Sequence, residues 1–432
     1  MIGFVGLTHL GIVSSIAAAS KGVEVMAFDP EETRCVALRE GRFPILEPGL
    51  PELLEANRSR IQFTSAAADL RRCQLIYFAI DIPTDENNQS DPSALERLIA
   101  QILPQAAPGT ILVVLSQVLP GFTRRLAGQI AALAAVQGLV VYGQVETLVF
   151  GNAVERAVKP ERFIVGCANP AMALPPVYQD LLGRFGCPIL PMGYESAELC
   201  KISINAFLVS SVSTTNMLAE ICEAIGADWS EIAPALRLDR RIGPDAYLGP
   251  GLGIAGGNLE RDLISIGHLA AEHGTDARLA ADWLALSRYR RDWVLRVLHA
   301  QVLSKVSDPV IAIWGLAYKP NTHSTKNSPS LALIEALPAL KLCYYDPQVV
   351  MSERTGENHA RCQTALEACQ GAHALVIMTP WQEFAAVKLA EVQAALTGRT
   401  IIDPFGVLAA QIGTKPAFDY FSLGAPPVLQ AD

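Results

Sequence analysis

Ile2-Gly-Phe-Val-Gly-Leu-Thr-His-Leu-Gly11 begins the chain, and Val23-Glu-Val-Met-Ala-Phe-Asp29 follows after a run of small residues. The first stretch is a short apolar strand, Ile2–Val5, running into a glycine turn. Ser14–Lys21 then reads as a helix and Val23–Phe28 as a second strand closing on an acid. Strand, glycine turn, helix, strand and acid is the order of a dinucleotide-binding βαβ unit. Gly6 and Gly11 let the turn close and bring helix amides up to a pyrophosphate. Asp29 falls eighteen residues after Gly11, where a carboxylate grips ribose hydroxyls and repels a 2′-phosphate, so NAD is favoured over NADP. Thr8 departs from the pattern, placing a Cβ and a hydroxyl where backbone should approach phosphate most closely.

Further apolar runs at Leu75–Ile80, Thr110–Leu115, Leu139–Tyr142 and Phe163–Val165 alternate with helical stretches such as Ala94–Leu103 and Thr123–Ala135. That alternation predicts an α/β fold with a doubly wound parallel sheet. Pro83-Thr84 and Pro120-Gly121 break the chain just after strands, at the sheet edge where ligands bind. From Ser196 to about Ala227 the pattern becomes one long helix containing Lys201, Asn205 and Asn216, with Lys201 and Asn205 four apart on one face. A second helical block runs from Leu259 to about Gln301. Between the two lies Tyr247-Leu-Gly-Pro-Gly-Leu-Gly-Ile-Ala-Gly-Gly-Asn258-Leu-Glu-Arg-Asp262, too rich in glycine for helix or strand. Near Pro309 another α/β unit starts. Val310–Trp314 ends in Gly315, Ser330–Leu337 is a helix, Lys341–Tyr345 closes at Asp346, and Ala374–Thr379 and Thr400–Asp403 add strands. The expected organisation is two Rossmann-like doubly wound domains, residues 1–195 and 302–432, joined by a central helical domain, residues 196–301.

At 432 residues, half of them hydrophobic and 18% charged, the chain is globular rather than disordered. A net charge of −9 without a clustered basic face argues against a nucleic-acid partner. The nine cysteines include no CxxC pair, so neither a metal site nor a disulfide framework is expected and the thiols read as reduced. The amino terminus lacks a basic leader, and no uninterrupted apolar run reaches membrane-spanning length. The expectation is a cytoplasmic protein with no membrane contact.

Several separate stretches resemble the UDP-glucose/GDP-mannose dehydrogenase family. Phe43-Pro-Ile-Leu-Glu-Pro-Gly-Leu-Pro-Glu-Leu-Leu54 is similar to its P-I-x-E-P-G-L-x-E-L-L segment, and Ala197-Glu-Leu-Cys-Lys-Ile-Ser-Ile-Asn-Ala-Phe207 to its A-E-x-x-K-x-x-x-N-A-F helix. Asp239-Arg-Arg-Ile-Gly243 followed by Tyr247-Leu-Gly-Pro-Gly251, Gly315-Leu-Ala-Tyr-Lys-Pro-Asn-Thr322 and Ser328-Pro-Ser330 extend the match over nearly the whole chain. The resemblance implies NAD in the first domain, a nucleotide sugar (a UDP-sugar favoured) as substrate, and a homodimer or higher oligomer built through the central helices. It also implies oxidation of a sugar CH₂OH in two hydride transfers, the second through a cysteine thioester.

Carried over by position, the catalytic set is Lys201, Asn205, Asp262 and Glu146, with Asn258 where the nucleophilic cysteine belongs. Lysine and asparagine stabilise alkoxide charge, while the aspartate and glutamate handle water and protons. Cofactor contacts fall on Gly6, Thr8, Leu10, Gly11, Asp29, Pro83, Thr84, Ser116, Gln117 and Lys326. Substrate contacts fall on Leu148, Phe150, Arg241, Tyr247, Gly253, Gly257 and Lys319. Phe150 stands in place of a glutamate, Gln117 of a threonine, Met217 of a glutamate and Phe405 of an arginine. His323 and Ser324 replace an acidic pair.

Without the resemblance, Lys201 reads as a solvated helix lysine, Asp262 as a helix cap and Glu146 as a surface carboxylate. His9 and His323 read as polar loop residues rather than bases. Two functions stay open. One is an oxidoreductase that keeps the first hydride transfer and stops at the carbonyl, because an amide is no nucleophile toward an aldehyde. The other is a non-catalytic nucleotide-sugar-binding or regulatory homologue.

Overall fold

The computed structural model describes residues 1–85, 89–133, 138–350, 358–413 and 417–430. They form two compact units, 1–204 and 205–432.

The first unit is built on eight strands, β1 (Ile2–Val5), β2 (Val25–Phe28), β3 (Ile61–Thr64), β4 (Leu75–Phe78), β5 (Ile111–Val114), β6 (Val140–Val145), β7 (Phe163–Cys167) and β8 (Ile189–Gly193). Their order is β3-β2-β1-β4-β5-β6-β7-β8. Every pair is parallel except β6 and β7, which are joined by a return of chain rather than a crossover. β1, β2, β4 and β5 are buried along their whole length, as strands covered on both faces must be. Alternate residues feed two cores. Phe4, Tyr77 and Val113 pack with Leu10, Ile12 and Ile16 on one face, and Val5, Phe78 and Leu112 pack with Ile99, Phe122 and Leu126 on the other.

Helix α1 spans His9–Ser20, five residues longer at its start than the expected Ser14–Lys21. Gly11 is the reason. A Cβ there would stand 1.7 Å from the Gly6 carbonyl oxygen, so the glycine is what lets the helix begin hard against the turn. The expected helix Thr123–Ala135 appears as Phe122–Ala132, and Ala134 and Ala135 lie outside the described residues.

In the second unit six parallel strands stand in the order β11-β10-β9-β12-β13-β14. These are β9 (Val310–Trp314), β10 (Lys341–Tyr345), β11 (His359–Arg361), β12 (Ala374–Ile377), β13 (Thr400–Ile402) and β14 (Asp419–Phe421). The predicted helical block from Leu259 to about Gln301 resolves into Asn258–His273, Arg278–Arg291 and Trp293–Leu298. Gly274, left-handed at φ 65°, ends the first of them.

The long central helix covers Tyr194–Ile225, close to its expected span. By length and composition it is the one helix among the described residues that could cross a membrane, although polar residues, Ser, Thr and Asn among them, interrupt every apolar run along it. Glu198, Lys201, Asn205 and Asn216 all lie buried within it, so its apolar content serves a protein core that also accepts polar groups.

Candidate functional site

The cofactor edge of the first unit is built around Gly6. Its φ of 92° is left-handed, and a Cβ would stand 1.8 Å from the Ile80 side chain, so only glycine makes the turn there. The Leu7 amide donates to Asp29 Oδ2 at 2.8 Å, fixing the turn to the end of β2. Asp29 is buried and also binds the Arg34 guanidinium at 2.8 Å and the Glu31 amide at 3.0 Å. A carboxylate at the tip of β2, glycine packing and the first turn of α1 are the parts a dinucleotide requires, and these residues fit one. Thr8 precedes α1 with extended backbone. Its hydroxyl accepts from the Asp81 amide at 2.8 Å, and the Leu10 amide donates to Asp81 Oδ2 at 3.2 Å.

Pro83 and Thr84 lie beyond Asp81, where the Pro83 carbonyl accepts from the Asp91 amide and Thr84 bridges to Ser90. The Ser116 hydroxyl is held inside, accepting from the Ile80 amide at 3.0 Å and donating to the Ile80 carbonyl at 2.7 Å. His9 is no loop residue. It is buried at the start of α1, with Nε2 2.7 Å from Glu47 Oε1 and its ring 4.1 Å from that of Phe150. Burial alone would raise the Glu47 pKa, but hydrogen bonds from His9 and from the Gly151 and Ala153 amides hold its carboxylate below the usual range.

Ser116, Gln117, Thr123, Glu146, Glu198 and Lys201 line one pocket of the first unit. Lys201 and Glu146 form an ion pair at 3.0 Å, with side chains only 11% and 16% exposed. Neither is the solvated surface group that its residue type alone suggests. Glu146 also accepts from the Leu148 amide at 2.8 Å, which fixes its orientation at the end of β6. Leu148 lines a separate pocket with Tyr77, Gln144 and Arg156.

Glu198, one helical turn before Lys201, was not singled out in the sequence. It accepts from the Gly121 and Thr123 amides at 2.6 and 2.8 Å, at the start of helix Phe122–Ala132. Burial raises its pKa, partly opposed by those amides. The glutamate of the A-E-x-x-K pattern was the available signal.

In the second unit, Asn205 donates to Asp262 Oδ2 at 2.5 Å, and Arg261 Nε meets Asp262 Oδ1 at 3.1 Å. All three are buried. Asp262 sits in the second turn of Asn258–His273, so it does not cap that helix; Gly257 holds the cap position. Asn258 is the exposed first residue of the helix. The glycine loop before it is braced from two sides. A Cβ on Gly253 would meet the Ser287 carbonyl at 2.4 Å, and one on Gly256 would meet the Tyr318 ring at 3.1 Å. The Gly256 amide donates to the Lys326 carbonyl, and Asn327 Nδ2 to the Gly256 carbonyl and Glu260.

Lys326 therefore stands with its stem 3.6 Å from the Cβ position of Gly257, beside the glycine loop. Lys319 lies over the Tyr318 ring at 5.6 Å. The Tyr247 carbonyl accepts from Ser211 and Thr215 while its ring is exposed. Arg241 is 89% exposed and pairs with Asp239.

Profiles of the UDP-glucose/GDP-mannose dehydrogenase family match the chain three times. Its NAD binding domain matches residues 1–182, its central domain residues 195–287 and its UDP binding domain residues 312–410. The chain belongs to this family. The first unit thus carries the NAD-binding domain of a UDP-glucose/GDP-mannose dehydrogenase, and NAD is the cofactor.

UDP-glucose 6-dehydrogenase TuaD of Bacillus subtilis is 28% identical over 99% of this chain and 94% of its own length. The UDP-glucose 6-dehydrogenase of Rhizobium meliloti is 27% identical over 98% of this chain and 99% of its own. Among solved structures, a UDP-glucose dehydrogenase from Pyrobaculum islandicum superposes with a TM-score of 0.87 at 23% identity, covering 98% of this chain and 97% of the other. A UDP-D-ManNAc dehydrogenase from Pyrococcus horikoshii gives 0.84 at 23%, covering 98% and 99%. Both share the fold.

Proposed function

We propose that this UDP-glucose/GDP-mannose dehydrogenase oxidises one hydroxyl of a nucleotide sugar, a UDP-sugar by preference, and releases a carbonyl compound rather than an acid. The observation that carries the reading is Asn258, exposed at the head of its helix where a thiol would be needed, while Asn205 and Asp262 behind it stay buried and bonded. No cysteine lies between Cys222 and Cys343, so the glycine loop has no substitute nucleophile.

When bound, NAD accepts the hydride. The chain supplies the rest. Glu146 takes the hydroxyl proton, and the Lys201 ammonium, held 3.0 Å from Glu146, stabilises the alkoxide as it forms. Asn205 gives a second donor, oriented by Asp262. Lys319 and the loop around Gly253 and Gly257 hold the nucleotide sugar, with Leu148, Phe150, Arg241 and Tyr247 completing its contacts. Lys326 and Gln117 contact the cofactor.

The three-part division at 195 and 301 is retained in this reading. Assembly is proposed to use the long helix. Phe207, Met217, Ile221 and Ile225 are exposed on one face of it, within about 80° of each other on a helical wheel, an apolar stripe suited to a second copy. Phe207→Asp is expected to shift the mass measured by light scattering from dimer to monomer. The cytoplasm suits nine unpaired thiols.

Counting NADH formed per sugar consumed over a panel of UDP- and GDP-sugars tests the reaction. One per sugar supports the carbonyl product. Two means the acid is reached without a thioester, and none across the panel favours a binding or regulatory protein.

A further inference from the structure

We infer that Asp81, clasped to Thr8, competes with the pyrophosphate of NAD for the first turn of α1 and so sets a deliberately weak grip on the cofactor. The inference rests on NAD occupying this turn. Amides at the head of a helix following a glycine turn are what bind a dinucleotide's pyrophosphate, because they are unsatisfied within the helix and carry its positive end. Here the second amide of α1, that of Leu10, already donates to Asp81 Oδ2 at 3.2 Å. The carboxylate is anchored by its own backbone, since the Asp81 amide donates to Thr8 Oγ1 at 2.8 Å. Thr8 is thus half of a clasp between the loop after β4 and the turn after β1, and its departure from glycine has a structural purpose.

Two consequences follow for a diphosphate approaching the turn. It must displace the Asp81 side chain from the Leu10 amide, and it meets a fixed negative charge at close range. At the adenosine end the acid, Asp29, is neutralised by Arg34 at 2.8 Å. The penalty therefore falls on the diphosphate and not on the nucleoside. Because Asp81 is solvent-exposed, the repulsion is partly screened and falls as salt rises.

The test is direct binding of NADH, ADP-ribose and adenosine by calorimetry to wild type, Asp81→Asn and Asp81→Gly, at low and high ionic strength. Asp81→Asn is expected to bind NADH and ADP-ribose about tenfold more tightly, corresponding to about 1.4 kcal/mol. The gain should narrow at high salt and be absent for adenosine. Thermal melting of each variant checks that the fold is kept. Equal or weaker NADH binding by both variants, beside a wild type that binds NADH, overturns the role of Asp81 and leaves the cofactor assignment standing. No NADH binding by any of the three proteins overturns both. An equal gain for adenosine would place the effect outside the pyrophosphate and overturn the inference as well.

Discussion

The two glycine turns of this chain are built alike and finished differently. After β1, Gly6 turns at φ 92° and the next amide donates to Asp29 at the end of β2; after β9, Gly315 turns at φ 93° and the next amide, Leu316, donates to Asp346 at the end of β10. The difference lies in what else holds the acid. Asp29 has a partly exposed arginine as partner, a contact that a ribose can rearrange. Asp346 takes five donors, the amides of Leu316, Ala317, Gln348 and Val349 and the indole of Trp381, and is sealed. In the first unit a helix starts three residues past the glycine, offering its amides. In the second, the chain runs on to Pro329 before a helix begins. One turn leaves its acid paired with an arginine that solvent reaches; the other is a fixed brace that holds up a loop.

Removing the acids tests this contrast most severely. Asp346→Ala should cost about 4 kcal/mol of stability, because five donors, four of them buried, lose their acceptor. Asp29→Ala should cost about half as much while weakening NADH binding at least tenfold. Chemical denaturation and NADH titration measure the two, and equal stability losses would erase the distinction. The shared part of the design is tested by Gly6→Ala and Gly315→Ala. Each adds a Cβ in left-handed backbone, 1.8 Å from Ile80 or 2.5 Å from Thr379, and each should cost roughly 3 kcal/mol.

A smaller effect concerns the extra anchor of the first turn, where Glu47 holds His9. Its carboxylate pKa is lowered in the folded protein, so its stabilisation is present above the ordinary glutamate value and is lost as pH falls through the lowered one. Glu47→Gln should lower the melting temperature at neutral pH by an amount corresponding to about 2 kcal/mol. It should also flatten the decline of stability below about pH 4. A variant with the wild-type acid limb would show that the protons bind elsewhere. The smallest change is Trp381→Phe, which removes one hydrogen bond from Asp346 and should cost about 1 kcal/mol without altering NADH affinity.

Much of this architecture was legible in the sequence, for a physical reason. β1, β4, β5, β9 and β12 are central strands buried on both faces, and they appear as unbroken apolar runs. Strands β3, β8, β11 and β14 stand toward the sheet edges. Several of their positions face solvent, so no apolar run marks them. Lys201, Asn205, Glu146 and Asp262 were named through the family resemblance, which says nothing of their burial and pairing. The solvated-lysine and helix-cap readings follow from local pattern and fail because the partners lie far along the chain, Asp262 being 57 residues from Asn205. Asp81 was invisible for the same reason, since what it engages is a backbone amide 71 residues away.

The reversal between β6 and β7 has a consequence for how this fold diversifies. A parallel crossover must carry the chain back across a face of the sheet, so its length is tied to the packing of that face. Residues 146–162 make no such journey, because the antiparallel pairing of Gly143–Val145 with Ile164–Gly166 lets the chain re-enter the sheet at the edge it left. What holds the segment instead is its anchoring to the first turn, where Ala153 is buried in the core and the Gly151 and Ala153 amides donate to Glu47. Glu146, Leu148 and Phe150 thus ride on a return whose length is bounded by those anchors and not by a passage across the sheet, so it is there that the fold can vary with the strand order unchanged.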